Sequence, residues 1–440
     1  MAPPRLAKAV KTRTRIPKAL SIRNFRIHFI GSVISVPGTW MQLTAQAWLV
    51  LELTNSPVAL AIVTSLQFLP IFVFSLIGGA LADRFPRQKL MFFTQAMGGI
   101  QAATLGILCL TGTIQIWHIY VLAVTLGIIN ALDAPLRQTF VSELVPVSHL
   151  PNAIAMTSLA QNLGRIIGPA LGGVVIAALG VGVAYFINAL TFMAALTALS
   201  LLRRGEFQPQ RKSGKHNILL QVRDGVAYAR RTPTILFLLI ATAFIGMFGQ
   251  NFTTMVPLIS TYLVHADAAA FGVLNSCLGT GSFTAALIMT TRGAPSTRRI
   301  LLAGTGFGIM LVLISQSSSL ILSGALFFLV GASAVTFSAS VNTLLQLRAP
   351  PEMRGRLVSM ISLLIPSPIG PMLTGAAASV FGVGWAVLGN GLLCVLGIGV
   401  AYAYQLKHRA SGTYSEYVAP EEELPAVVAK PLAPTEQGIK

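Results

Sequence analysis

The chain has 440 residues, of which 54% are hydrophobic and only 10% are charged, and its formal net charge at pH 7 is +18. A soluble domain carries charge at roughly a quarter of its positions, so this composition excludes an ordinary soluble protein. A basic excess can also indicate a nucleic-acid partner. Here nearly all of it lies in segments between apolar stretches, which predicts a membrane topology and no nucleic-acid binding.

Twelve apolar stretches are long enough to cross a lipid bilayer, since a spanning helix needs roughly 20 residues. The sequence therefore predicts an all-α integral membrane protein with twelve transmembrane helices. The predicted spans are residues 27–50, 58–82, 90–112, 115–136, 153–177, 181–202, 234–263, 271–291, 300–317, 320–346, 357–381 and 383–406.

The positive charges follow a strict alternation. All but one of the 31 Lys and Arg residues lie before span one, at or after the ends of even-numbered spans, or in the last segment. The loops after odd-numbered spans carry none. The positive-inside rule then predicts cytoplasmic N- and C-termini and a multi-pass protein of the inner (plasma) membrane of the cell.

An internal repeat divides the spans into two groups of six. Residues 167–173 in span five recur as residues 369–375 in span eleven, 202 residues later. Duplicated units of this kind surround a pseudo-twofold axis along the membrane normal, with the ligand site between them near mid-depth. The predicted divisions are a basic tail 1–26, a bundle 27–202, a linker 203–233, a bundle 234–406 and a tail 407–440.

Residues typical of catalysis or metal binding are scarce. Cys109, Cys277 and Cys394 lie in separate spans without metal-type spacing, and no phosphate-binding glycine loop of the P-loop type is present. Hydroxyls, amides and one arginine can bind a solute but offer no obvious chemistry. We therefore expect no enzyme activity, no catalytic residues, no metal and no cofactor.

Polar residues recur at helical spacing on spans one, five, seven and ten. Each set lies on one face of its helix, so the four helices are predicted to line a common cavity. Hydrogen bonding between neighbouring helices is the alternative reading of such stripes. The candidate cavity residues are Gln42, Gln46, Gln161, Asn162, Arg165, Gln250, Thr336 and Ser340.

Arg165 is the one basic residue away from the inner surface. The rise of an α-helix places it near mid-membrane, where a charge needs a partner or water. Our hypothesis is that Arg165 faces a wet cavity and binds substrate oxygen atoms, which favours an anionic or carbonyl-rich solute. The alternative is a structural arginine held by Asn162, Gln161 and helix carbonyls.

Span five also carries glycines at every fourth position. Gly164, Gly168 and Gly172 form one groove, where another helix can approach closely. Pro169 removes a backbone hydrogen bond beside this groove, and Gly173 follows it.

These motifs resemble those of the major facilitator superfamily. The segment Gly79-x-Leu-Ala-Asp83-Arg84-x-Pro-Arg87-Gln-Lys89 resembles the signature between its second and third spans, and the span-five motif resembles that of its exporters. Residues 53–57 and 142–146 further resemble the transmembrane secretion effectors, a subgroup that includes enterobactin and macrolide exporters.

The resemblance implies two pseudo-symmetric six-helix bundles that work as a monomeric, alternating-access exporter of a small amphipathic compound, such as a drug, siderophore or secondary metabolite, by proton antiport. It implies a conformational latch in which Arg84 or Arg87 pairs with Asp133 or Glu143. It also implies that span five forms a seal or pivot against the other half, with a plain packing groove as the alternative. The titratable candidates for proton coupling are Glu52 and Asp133. The alternatives are a facilitated or importing carrier and a non-transporting sensor or scaffold. The predicted latch residues are Gly79, Asp83, Arg84, Arg87, Lys89 and Asp133.

Overall fold

A computed structural model of the protein describes residues 18–208, 226–291, 295–364 and 367–410. Within the helices, the side chains of residues 72, 75–84, 351–352, 359, 362–363 and 409–410 are outside this description. The α-helices are α1 Arg23–Thr54, α2 Pro57–Arg84, α3 Arg87–Leu110, α4 Ile116–Leu144, α5 Leu150–Leu179, α6 Val181–Ser200, α7 Pro233–Phe244, α8 Phe252–Tyr262, α9 Ala268–Thr291, α10 Thr297–Ile314, α11 Leu320–Arg348, α12 Pro351–Leu364, α13 Ile369–Phe381 and α14 Val383–Ala410.

The described helices have the length and composition of membrane spans. Among the described residues, nine segments are long and apolar enough to cross a membrane, with α7 and α8 counted as one, and they match predicted spans three to ten and twelve. Helices α1 and α2 follow spans one and two, and α12 with α13 follows span eleven. The all-α membrane architecture is confirmed, whereas the count of twelve crossings stays a prediction.

The helices turn apolar side chains outward and polar side chains inward. In α3, Ile100 is 56% exposed whereas its neighbour Gln101 is 2% exposed, and Phe92 and Phe93 are exposed whereas Thr94 is buried. Lipid tails offer no hydrogen bonds, so polar side chains are stable only where other helices can pair with them. The outer face of α3 is therefore suited to lipid.

Helix contacts divide the described chain into a first set, α1–α6, and a second set, α7–α14. In the first set α1 packs on α5 and α6, α3 packs on α4 and α6, and α2 packs on α4. In the second set α9 packs on α11, α10 packs on α11 and α14, and α7 packs on α14. Two main pairs join the sets, α5 with α9 and α2 with α13.

Short loops join most consecutive helices, so the chain reverses direction at each of them. We call the end of the bundle where α1 begins the terminal end, and the end where α1 meets α2 the far end. Only Asn55 and Ser56 separate those two helices, and Asn55 adopts the left-handed conformation with φ 46°. Asparagine tolerates that conformation better than most residues, which explains the sharp turn.

The internal repeat occupies both junctions between the sets. Residues 167–173 belong to α5 and residues 369–375 to α13. A Cβ added at Gly173 would lie 2.6 Å from the carbonyl oxygen of Ala268 in α9, and one added at Gly375 would overlap the Cβ of Ala61 in α2. The two copies therefore make corresponding contacts with the opposite set, as a duplicated unit would.

Two local expectations are corrected. The loop between predicted spans two and three, residues 83–89, is shorter in the structure, because α2 continues to Arg84 and α3 begins at Arg87. Only Phe85 and Pro86 separate them, and a proline directly before a helix costs no backbone hydrogen bond. Predicted span seven is interrupted by a five-residue π-helical segment, Ile245–Gly249, between α7 and α8.

Candidate functional site between the two helical sets

A pocket of about 450 Å³ opens between the two sets, halfway along their helices. Trp40 and Arg165 lie near the middle of α1 and α5, which places the pocket at mid-depth. This volume counts space that is open to solvent as well as the enclosed part. The lining of the pocket includes Trp40 and Thr44 of α1, Arg165 of α5, Phe252, Thr253 and Pro257 of α8, and Phe271 and Asn275 of α9.

Arg165 is held by an aromatic ring and not by an acid. Its guanidinium carbon lies 5.5 Å from the centroid of the Trp40 ring, which is a cation–π contact. Within the described part of the chain, the Arg165 side chain makes no ion pair and no hydrogen bond. A guanidinium carries five N–H donors, so an Arg165 side chain without these bonds can donate to a ligand.

The partners expected for a purely structural arginine are engaged elsewhere. The Asn162 side chain donates to the carbonyl oxygen of Ser158 at 2.9 Å. Gln161 is exposed. Neither side chain holds Arg165, so the described contacts do not support the structural alternative.

The glycine groove of α5 places Trp40 beside the pocket. A Cβ at Gly168 would lie 2.6 Å from the Cβ of Trp40, and Gly172, one turn further along α5, faces Met41 of α1. Gly164 faces the same helix one turn earlier. The expectation that this groove seals against the other half is therefore wrong for Gly164, Gly168 and Gly172, because α1 of the same set fills it.

The adjacent face of α5 carries the contact with the second set. Pro169 cannot donate a backbone hydrogen bond to the carbonyl of Arg165, so α5 is weakened here. Helix α9 supplies a polar group next to this gap, since the Ser276 hydroxyl donates to the carbonyl oxygen of Ile166 at 2.9 Å. Gly173, one turn further, packs on α9 as well.

The polar stripe of α1 serves contacts inside the first set. The Gln42 amide donates to Oε1 of Gln101 at 2.8 Å and accepts from Asn188, and all three side chains are buried. Gln46 is 2% exposed, and neither of its amide atoms has a partner in the described ranges. For Gln42 the alternative reading, hydrogen bonding between helices, is the one observed.

The three candidate residues from spans seven and ten also lie outside the pocket, although Thr253, from the polar stripe of span seven, lines it. Gln250 donates to the Ser338 hydroxyl at 3.2 Å, which links the start of α8 to α11. Thr336 is half-buried, and Ser340 is fully buried with no hydrogen-bond partner among the described residues. Of the eight predicted cavity residues, Arg165 lines the pocket and the other seven do not.

Sequence reasoning missed the aromatic part of the site. Trp40, Phe252 and Phe271 line the pocket, yet in an apolar span each reads as ordinary packing. A usable signal was present, because Trp40 sits at the same depth as Arg165 on a neighbouring helix. An aromatic ring at the level of an unpaired arginine is a candidate partner.

Contacts between the sets continue from the pocket to the far end. The rings of Trp48 and Phe271 stack with centroids 6.2 Å apart. The Tyr262 hydroxyl donates to the carbonyl oxygen of Asn55 at 2.8 Å, and the Ser65 hydroxyl donates to that of Pro368 at 2.8 Å. In the described ranges, these contacts close the bundle on the far side of the pocket.

A charged cluster lies at the terminal end of the first set. Arg87 pairs with Glu143 at 2.7 Å, which confirms one of the pairings expected for the latch. Asp133 does not pair with Arg87: its carboxylate accepts from Arg137 and from the Thr94 hydroxyl at 2.7 Å. Lys89 is exposed, and the side chains of Gly79, Asp83 and Arg84 fall outside the described residues.

The two candidates for proton coupling also lie apart from the pocket. Glu52 is exposed near the far end of α1. Asp133 is buried at the terminal end, where the Gln95 amide donates to it at 3.0 Å in addition to its other partners. Neither carboxylate contributes to the pocket lining.

Apolar outer faces, a duplicated helical unit and a mid-depth pocket between two helical sets define a multi-pass membrane transporter. The family model for transmembrane secretion effectors matches residues 17–435. The chain therefore belongs to the transmembrane secretion effector family of the major facilitator superfamily. This is a family of transporters that act on small molecules.

Named relatives align with most of this chain, and a solved transporter structure shares its fold. The enterobactin exporter EntS of Salmonella typhimurium is 28% identical, with 85% of this chain and 92% of the exporter aligned. The multidrug efflux pump Tap of Mycolicibacterium fortuitum is 26% identical, over 84% and 93%. The crystal structure of a bacterial homologue of the lysosomal transporter Spinster, inward-facing and occupied, has a TM-score of 0.67 at 14% identity, covering 91% of this chain and 98% of that one.

Proposed function

We propose that this protein is an alternating-access exporter that moves a small amphipathic compound, such as a drug, a siderophore or another secondary metabolite, out of the cell by proton antiport. It works as a monomer in the inner (plasma) membrane with both termini in the cytoplasm, and it is not an enzyme. The distribution of Lys and Arg supports this orientation. Relatives that are named as efflux proteins support the direction of transport.

The position of the pocket carries the proposal. It lies between two helical sets, and the described contacts between those sets run from the pocket to the far end. With cytoplasmic termini the far end faces outward, so this arrangement corresponds to an inward-facing state. Separation of Trp48 from Phe271 and of Asn55 from Tyr262 would open the pocket outward. Rocking of one set against the other around a fixed central site is the usual movement of such carriers.

Glu52 and Asp133 are our proposed proton carriers. Asp133 is the stronger of the two because it is buried beside Arg137, so that protonation would neutralise one partner of an ion pair inside the first set. That change of charge gives the first set two electrostatic states. The division into bundles 27–202 and 234–406, joined by a linker, is part of the same proposal.

Transport by the purified protein in liposomes tests this function. An imposed pH gradient is applied, and the uptake of candidate dyes, macrolides and siderophores is followed together with proton movement. Protein-free liposomes and an Asp133→Asn variant serve as controls. Substrate flux that moves protons supports antiport, flux that is independent of the gradient supports a facilitated carrier, and no flux of any candidate supports the sensor or scaffold alternative.

A further inference from the structure

We propose that the pocket binds organic anions that carry a planar aromatic ring, with Arg165 binding the anionic group and the aromatic wall of the pocket holding the ring. This inference rests on the proposed function, because it treats the pocket as the transport site. It narrows the proposed substrates from amphipathic compounds in general to organic anions. A cationic amphipathic drug is predicted to be a poor substrate.

The charge of the pocket favours an anionic ligand. Arg165 is a cation at mid-depth of a bundle whose outer faces suit lipid, and the described residues that line the pocket include no Asp or Glu. A buried charge without a counter-charge is costly, and an anionic ligand relieves that cost on binding. A cationic ligand would add a second positive charge to the same space.

The contact between Arg165 and Trp40 suits the binding of an anionic group. The guanidinium carbon lies over the Trp40 ring at 5.5 Å from its centroid, and within the described residues none of the Arg165 N–H groups donates a hydrogen bond. A planar guanidinium matches a carboxylate with two parallel hydrogen bonds, whereas a lysine ammonium does not. Arg165 lines the pocket, and its nitrogen atoms are not fully enclosed by the surrounding residues.

Apolar side chains line the pocket together with Arg165. Phe252 and Pro257 of α8 and Phe271 of α9 line the same space as Arg165 with apolar side chains. Aromatic rings prefer offset or edge-on packing against such side chains. Thr253 and Asn275 add polar groups beside them, which suits a hydroxyl or carbonyl substituent on the ring.

A matched series of probes separates charge from shape. 1-Naphthoate, 1-naphthamide and 1-naphthylmethylammonium share one ring system and differ in charge. Binding is measured by calorimetry with the full chain in nanodiscs of zwitterionic lipid. We expect 1-naphthoate to bind at least about 10-fold more tightly than the amide, the factor of a charge-assisted hydrogen bond, and the ammonium compound to bind most weakly.

Variants assign the effect to the arginine. Arg165→Gln should lower 1-naphthoate affinity to that of 1-naphthamide, and Arg165→Lys should restore only part of it. Arg298→Gln makes the same substitution at an exposed position on α10 and should leave all three affinities unchanged. Equal affinity of the wild-type protein for the anion and the cation would overturn the inference, and that comparison needs no variant to fold.

Lipid is the other source of an anionic group. If 1-naphthoate binding is lost when anionic lipid is added to the nanodiscs, a lipid headgroup occupies Arg165 and the solute proposal is wrong.

Transport in liposomes separates this inference from the proposed function. Binding of 1-naphthoate without transport of any solute contradicts the function alone, whereas transport of cations in preference to anions contradicts the charge class alone.

Discussion

Gly173 of α5 and Gly272 of α9 meet across the two helical sets: a Cβ built on either glycine would lie 2.9 Å from the Cα of the other. The backbones of two helices from different sets can approach this closely only where side chains are absent. The contact lies between the pocket and the far end. It therefore belongs to the group of contacts that must separate if the pocket is to open outward.

Replacement of Gly272 by leucine should weaken this closed arrangement. Overpacking of a tight contact costs about 1–3 kcal/mol, which shifts an equilibrium between two states by roughly 5- to 150-fold. Spin labels at Thr111 and Gln316, exposed far-end residues of the two sets, should report a longer distance in Gly272→Leu. Gly306→Leu is the control, because nothing lies within 4 Å of a Cβ at that position. An unchanged distance in Gly272→Leu would show that the contact between Gly173 and Gly272 does not control the opening of the far end.

The Gln42 network should matter for stability and not for substrate binding. Gln42→Leu leaves the buried amides of Gln101 and Asn188 without this partner, and a buried unsatisfied polar group costs about 1–3 kcal/mol. We expect a lower free energy of unfolding in detergent and an unchanged KM for transport. Gln161→Leu, at an exposed position of α5, should change neither quantity. A raised KM with normal stability would show that Gln42 contributes to substrate binding.

The Arg87–Glu143 pair should couple far more strongly than a surface ion pair. Its side chains are 11% and 7% exposed, whereas those of Arg203 and Glu206 are 64% and 46% exposed. A double-mutant cycle with alanine should give about 1–3 kcal/mol for the first pair and below about 1 kcal/mol for the second. If the pair is part of a latch, the rate of transport changes while 1-naphthoate affinity does not. Equal coupling energies in the two cycles would mean that the partly buried pair has no special role.

The sequence predicted the features that depend on one helix at a time. Apolar length identified the helices, and the basic loops and the repeat predicted their orientation and grouping. Arg165 stood out as a candidate because a charge at mid-depth of a span is unusual whatever surrounds it. These properties are carried by the residues themselves and need no knowledge of neighbours.

Properties that depend on which helix lies next to which could not be predicted. The Gly164, Gly168 and Gly172 groove predicted a close helix contact, but its spacing does not say whether α1 or α9 fills it. Polar residues such as Gln42 look the same whether they meet another helix or a cavity. Trp40 and Phe252 were indistinguishable from packing residues until the pocket placed them beside Arg165.

A reversible cross-link across the far end tests alternating access most directly. In a background without Cys109, Cys277 and Cys394, the variants Asn55→Cys and Tyr262→Cys place one thiol on each side of a contact that closes the pocket. A short bifunctional thiol reagent joins them, and a reductant releases them. The account predicts that cross-linked protein in liposomes transports no substrate, still binds it from the terminal side, and regains transport after reduction. Undiminished transport by fully cross-linked protein would contradict the account.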